Sequence, residues 1–403
     1  MRGFKLGSGA RRFLARGALF ALFLVAPLFA PLLFSIDQFS LNAAGALTYN
    51  REHKGGPFYP SMNIEKADQG DLGWGTKYSV KKKVVWKTDE YGYRNTPSSK
   101  NAYDIVLIGD SFLVGYKLSQ EEILSEVISK KTGLNAYSIA PISNISSYLD
   151  EQRFQQHKPK VVILEMVERN MRGASRINAS ELGMEVKNFT GSRPYQNDAM
   201  SKINIMLDRM MKFSVFQYYH SMGLKSLFNK ADRNSNRSDD AFAAGILVDP
   251  TRQNFNMLVN NKTRMMFMLD SILTWERDQK SALENMSYNI MLYDEFFRRQ
   301  GIKFMFLPVP DKETVYYDYM KSDMYFGKTP IAVEYPQPQF LENITAALRA
   351  NKVTVIDVNS AFARVRNSSN VMLYQLDDTH WNEYGVNITA DLIFGELNAS
   401  GII

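Results

Sequence analysis

The chain has 403 residues, 45% hydrophobic and 12% aromatic, enough to bury a full core and to hold more than one domain. The formal charge of +6 is modest for this length, and Arg2, Lys5, Arg11, Arg12 and Arg16 crowd its N-terminus, so nothing argues for a nucleic-acid partner. With no cysteine, a disulfide framework and a cysteine-ligated zinc site are both excluded.

Residues 13–36 are apolar except for Arg16 and Ser35, a run long enough to cross a bilayer. Basic residues precede it, so residues 1–40 read as a cytoplasmic tip and transmembrane anchor, with everything after it outside. The alternative is a cleaved signal peptide with Ala44-Gly45-Ala46 as its processing site. The length of the run favours the retained anchor. Residues 41–102 read as an irregular N-terminal segment, broken by Gly55-Gly56-Pro57, Gly70, Gly73 and Gly75. Lys81-Lys82-Lys83 within it reads as a solvated face, with contact to an acidic polymer as the alternative. Thr88 to Asn95 reads as a series of turns along the edge of a sheet.

From Asp104 the pattern becomes strand, helix, strand. Ile105-Val106-Leu107-Ile108 has the composition of a strand buried on both faces, and Gly109-Asp110-Ser111 breaks it. Helical spacing follows over 121–131, then an apolar run at 135–140, a helix over 144–157 and a third buried strand at 160–166. Strands alternating with helices imply a parallel sheet with right-handed crossovers. After Asn170 that pattern is lost. Residues 197–227 carry helical material, 232–240 a polar loop, and 261–300 one long helix or two in succession, with Met265, Met266 and Met268 as packing residues. We read residues from about 171 to 280 as a helical insertion. The sheet resumes at 302–307, a helix follows at 341–350, a strand at 353–358, and a helix over 386–397 closes the chain. Sequons at Asn144, Asn178, Asn343 and Asn387 are read as unmodified, given the bacterial topology expected.

A serine where a buried strand ends lies at the carboxyl edge of an α/β sheet, where such folds place their sites. Asp377-Asp378-Thr379-His380 supplies carboxylates two and three positions before one of only four histidines. Ser111 as nucleophile, His380 as base and Asp378 as orienter make an activated serine, with Asp377 as the alternative orienter. Asp110 reads as a turn residue that bonds nearby amides.

Over 103–170 and 301–397, the chain resembles the SGNH (GDSL-type) hydrolase superfamily. Gly109-Asp110-Ser111 is similar to its nucleophile block, and Asp378-Thr379-His380-Trp381-Asn382 to its terminal block. Within it, Asp-Thr-His-Trp and the run from Val309 to Tyr316 resemble the membrane-anchored polysaccharide O-acetyltransferases of the alginate type (AlgJ/AlgX-like). The order differs from that group, because here Ser111 precedes the Asp/His block. The second block's glycine is absent from Ala140-Pro141-Ile142-Ser143-Asn144, and the third block reads Glu168-Arg169-Asn170.

The resemblance implies an α/β fold: an SGNH-type parallel sheet flanked by helices over 103–403, with the helical insertion and the N-terminal transmembrane helix. It implies that the main chain of Ser143 and the side chain of Asn170 donate to an oxyanion, and that Arg169 holds a carboxylate or the acyl oxygen. Lys312 is expected at a polyanionic substrate or on the surface, and Trp381 against a sugar or packed over the histidine. The expected activity is acetyl transfer to a cell-surface or secreted polysaccharide, through an acetyl-serine, on the periplasmic side of a bacterial inner membrane. The alternatives are an acetyl esterase with the same residues and a non-catalytic polysaccharide-binding or assembly factor. The expected partners are the polysaccharide acceptor, the membrane, and a multi-spanning membrane acyltransferase as acyl donor. No cofactor and no metal enters this reading.

Overall fold

Strands with no polar side chain on either face must be covered on both sides, and the chain does this with helices. The computed structural model describes residues 17, 42–49, 55–73, 79–97, 102–141, 145–149, 151–177, 199–212, 245–248, 265–268, 271, 279–318, 324–326, 329–331, 339–369 and 371–403. Apart from Gly17, the apolar run at 13–36 lies outside them. Among the described residues no helix is long and apolar enough to cross a membrane.

Helix α1 (Ala43–Leu47) leads into two antiparallel strands, β1 (Asn63–Asp68) and β2 (Lys82–Lys87). Residues 41–102 are thus partly ordered as a sheet, not irregular throughout. In β2 the period of two is plain from Lys83 on: Val84 and Trp86 are fully buried, while Lys83 faces outward to Glu65. Lys82, at the start of the strand on the Val84 and Trp86 side, pairs with Glu122 and Glu383. Arg94 follows, buried, with its guanidinium 3.8 Å over the Trp86 ring and its N–H groups on the carbonyls of Val114 and Leu118. Asn95 exchanges side-chain hydrogen bonds with the main chain of Ser138 at 2.9 and 3.0 Å, so the turn segment does lie on a sheet edge.

That sheet is parallel. Its strands are β3 (Ile105–Ile108), β4 (Ala136–Ile139), β5 (Val161–Val167) and, later, β8 (Lys303–Val309), in the order β4-β3-β5-β8. Helix α2 (Ser111–Val114) follows β3 directly, and α3 (Leu124–Thr132) connects to β4, closed by Gly133 at φ 72°. The stretch 144–157 contains two short helices, Ser146–Leu149 and Gln152–Gln156, rather than one.

The insertion is only partly helical. Ala199–Lys212 is a helix, but Gly245–Val248 (β6) and Met265–Met268 (β7) are strands. With Met324–Phe326 (β9) and Thr329–Ile331 (β10) they form an antiparallel sheet ordered β10-β9-β6-β7. Met265 and Phe267 join the main core while Met266 packs with Leu72 on the other face. Both faces of β7 are covered, so all four residues are apolar and no period of two betrays the strand.

Helices α4 (Gln279–Arg299), α5 (Phe340–Ala350), α6 (Val358–Ser368) and α7 (Glu383–Ala399) complete the layers. Ile105, Leu107, Ile163 and Leu307 pack with residues of α3, α6 and α7; Val106, Ile108, Leu164 and Phe306 pack with residues of α4 and α5. The expected strand at 353–358 is reduced to one parallel bridge, Val355 to Phe306, because α6 begins at Val358.

Beyond α2 the chain buries Lys117 and pairs it with Asp377, itself fully buried. Lys117→Met leaves that carboxylate without its counter-charge and is expected to cost about 3–5 kcal/mol. Adding Asp377→Asn is expected to restore part of the loss. Urea unfolding measures both, and a single variant as stable as the parent contradicts the role given to this pair.

Candidate active site

The turn after β3 is built around Asp110. Its carboxylate accepts the N–H of Phe112 at 3.0 Å, capping α2, and also the N–H of Val167 at 3.2 Å and the side-chain amide of Asn170 at 3.0 Å. It thus behaves as the turn residue that the sequence suggests, and it ties the ends of β3 and β5 together. Glu165 accepts the N–H of Asp110 at 2.9 Å. A Cβ on Gly109 would stand 2.8 Å from that of Glu165, so this approach requires glycine. Burial, and then the Asp110 charge, push the Glu165 carboxyl well above the usual carboxylate range. This geometry leaves Ser111 at the head of α2, at the carboxyl edge of the sheet.

The loop before α7 meets it there. His380 Nε2 lies 2.7 Å from Ser111 Oγ, and Nδ1 lies 2.6 Å from Asp378 Oδ1. The main-chain N–H of His380 donates to the same oxygen at 2.9 Å. The imidazole sits between the rings of Phe112 and Tyr116, with centroids at 4.9 and 5.0 Å. Burial alone would raise the Asp378 carboxyl; the His380 charge and hydrogen bonds from His380 and Asp71 overcome it and hold it at about 2. For His380, burial lowers the imidazole; the Asp378 charge and hydrogen bond, then the Asp71 charge, outweigh it and leave the pKa above 6.5. A serine hydroxyl, a base and an orienting carboxylate in line are what proton removal from an attacking hydroxyl needs.

Asp377 has another task. Besides Lys117, its carboxylate accepts the N–H groups of Gly70 at 3.2 Å and Val80 at 2.7 Å, and it is not bonded to the imidazole. Arg169 donates to Asp311 at 2.5 Å, with its guanidinium 5.6 Å from the Phe112 ring. Asn170, held by Asp110, stands beside it on the short helix Glu168–Met171 that follows β5. Ser143 lies outside the described residues.

Two expectations need correction. Lys312 is not at a substrate surface: it is fully buried and its amine donates to the carbonyls of Gln375, Leu376 and Asp378 at 2.5, 3.0 and 3.0 Å. Burial lowers its pKa to about 8. Trp381 offers no sugar platform: it is 0% exposed, edge-on to Phe112, with its indole N–H on the Phe112 carbonyl at 3.2 Å.

Sequence reasoning missed Asp71, Thr379, Tyr116 and Lys117. The pair of glycines around Asp71, in Gly70-Asp71-Leu72-Gly73, was the available signal of a close main-chain approach. Asp71, Asp378 and His380 bring one ligand-type atom each within 4.8 Å of one another. Since His380 is bonded to both Asp378 and Ser111, that cluster is accounted for by the hydrogen-bonded triad and gives no separate argument for a metal.

The electrostatics give a direct expectation. Followed by NMR, the imidazole of His380 is expected to show a pKa above that of an ordinary histidine, because the Asp378 charge and hydrogen bond outweigh its burial. Asp378→Asn removes the charge that supports the imidazolium and is expected to lower that value by roughly 1–3 units. An unchanged titration contradicts the pairing.

Residues 262–402 match the family model described as an SGNH hydrolase-like domain, acetyltransferase AlgX. No curated protein and no solved structure matches the chain. The matched part includes Asp378 and His380, and the parallel sheet flanked by helices is consistent with an SGNH-like fold. Over that part the protein resembles the SGNH superfamily in its AlgX-type acetyltransferase branch, while Ser111 reaches the site from outside the match.

Proposed function

We propose that this protein is a membrane-anchored, periplasm-facing O-acetyltransferase that modifies a cell-surface or secreted polysaccharide through an acetyl-Ser111 intermediate. The AlgX-like match supports the polysaccharide acetyltransferase or esterase class. The observation that carries the reading is the unbroken line from Ser111 Oγ to His380 to Asp378, at 2.7 and 2.6 Å. The basic N-terminus and the apolar run behind it support the anchor and its orientation.

In this reading Ser111 Oγ attacks the acyl carbonyl of the donor while His380 Nε2 takes its proton. Asp378 holds the imidazole in the tautomer with Nδ1–H and stabilises the imidazolium. Asn170, with one amide hydrogen on Asp110, directs the other to the developing oxyanion. The tetrahedral adduct collapses, and His380 returns the proton to the leaving group. A sugar hydroxyl then enters, gives its proton to His380 and attacks the acetyl-serine; the bond to Ser111 Oγ breaks, His380 returns the proton to that oxygen, and the sugar leaves as its acetate ester. The donor is an acetyl group passed on by a multi-spanning membrane acyltransferase.

A transferase must keep water from its acyl-enzyme until the acceptor binds. The insertion is the candidate cover. In β7, Met266 N–H donates to the Leu376 carbonyl at 2.8 Å and Met268 N–H to Glu313 at 2.5 Å, so this strand docks beside the loop that carries Asp378 and His380.

The full-length chain treated with an activated acetyl ester is expected to gain one acetyl group on Ser111 by intact mass and peptide mapping. Acetyl-free oligosaccharide is expected to discharge it much faster than water. Ser111→Ala and His380→Ala are each expected to lower turnover by about 10⁴-fold or more, with the double variant hardly worse. Rapid discharge by water alone, indifferent to sugar, points to an esterase. No acetyl-enzyme and no turnover from a folded chain points to a binding or assembly factor.

A further inference from the structure

Asp378 has two carboxylate oxygens, and His380 uses one. The other, Oδ2, accepts the main-chain N–H of Asp71 at 2.9 Å. The exchange is reciprocal. The Asp71 carboxylate accepts the main-chain N–H of Thr379 at 2.8 Å and its hydroxyl at 2.6 Å. That hydroxyl oxygen lies 3.3 Å from His380 Nδ1. On either side of Asp71, the N–H of Gly70 reaches Asp377 Oδ2 at 3.2 Å, and those of Leu72 and Gly73 reach the Asp377 carbonyl at 3.1 and 2.8 Å. Residues 70–73 therefore run along 377–379 with main-chain donors from each residue. A Cβ at Gly73 would stand 2.6 Å from that of Asp377, and one at Gly70 would stand 2.7 Å from Asp377 Cγ. Only glycine at both positions lets the strands of chain come this close.

We propose that residues 70–73 form a clasp that positions the acid–base pair, with Asp71 as its positioning residue. The Asp71 main chain fixes the free oxygen of Asp378, and its carboxylate fixes Thr379 and faces the imidazole. The proposal rests on reading Ser111, His380 and Asp378 as an acyl-transfer triad, and it adds a requirement that the family match over 262–402 does not contain. The working unit then extends beyond the α/β domain into the N-terminal segment.

The charged and titratable groups facing His380 define what Asp71 contributes. Asp378 and Asp71 are the carboxylates; Arg169 opposes them from the helix after β5; the Ser111 hydroxyl and the Tyr116 ring come from α2 and its tail. One oxygen from each carboxylate and one imidazole nitrogen lie within 4.8 Å of one another. Burial and then the Asp378 charge raise the Asp71 carboxyl; while ionised, at that range, its charge supports the imidazolium that forms when His380 takes the serine proton.

The test uses the full-length chain with its four histidines labelled with ¹³C at Cε1; the signal missing in His380→Ala identifies His380. Asp71→Asn keeps the main-chain N–H and one acceptor for Thr379 but removes the charge. It is expected to lower the His380 pKa by roughly one unit and to move the acid limb of kcat/KM for a small acetyl ester down with it. The melting temperature is expected to stay close to that of the parent. Gly73→Ala is expected to lower kcat by about 10²-fold with little change in KM, since it displaces the loop rather than the substrate. A His380 titration in Asp71→Asn that coincides with the parent's overturns the clasp, whether or not the chain turns over an ester. A shifted titration in a chain with no acyl turnover supports the clasp and removes the acyltransfer reading instead.

Discussion

A fully buried carboxylate must be paired, and Asp377 is where this requirement organises the molecule. The loop that carries Asp378 and His380 belongs to no strand of the parallel sheet. It is fixed instead by polar groups that meet at its core. Lys117 approaches from the nucleophile's side, the main chain of 70–73 and Val80 from the N-terminal segment, and the Lys312 amine from behind β8. Each of these would be costly to bury alone. Together they define one position for the loop, and that position puts His380 on Ser111.

Two adjacent aspartates thus have opposite duties. Asp377 spends its oxygens on Lys117 and main-chain N–H groups and so holds the loop. Asp378, one residue on, turns to the imidazole. Its carboxylate stays ionised deep in the protein because the cost of burial is outweighed by the His380 charge, and then by the hydrogen bonds made to it. The pair of aromatic rings around His380 adds shape to this. Phe112 and Tyr116 both come from the nucleophile's own turn, so the element that presents the serine also confines the base.

Much of this was readable in the residues, and the failures have physical causes. Strands such as Ile105–Ile108 and the 161–164 part of β5 are buried on both faces, and an unbroken run of branched apolar residues can hardly be anything else. Ser111 and His380 stood out because a small hydroxyl residue follows such a run and few histidines exist. Asp71 did not stand out. Its role depends on a main-chain approach between segments some three hundred positions apart, and glycines in a turn-rich stretch announce a turn before they announce a contact. Met265–Met268 misled for a different reason: a strand covered on both sides has no alternation, and methionine favours neither reading strongly. Lys312 and Trp381 show the limit of residue type as a guide. A lysine and a tryptophan near a site suggest a substrate, yet both serve here as internal supports.

The central claim is that Ser111 is an activated nucleophile and owes this to His380. An alkyl fluorophosphonate reports on it directly, since it modifies only a serine whose proton is drawn off by a neighbouring base. The full-length chain is treated with the probe, digested, and its peptides mapped by mass spectrometry. The account expects one adduct, on Ser111, that does not form in His380→Ala. An unmodified Ser111 in the folded parent, or an adduct formed at the parent's rate in His380→Ala, contradicts it.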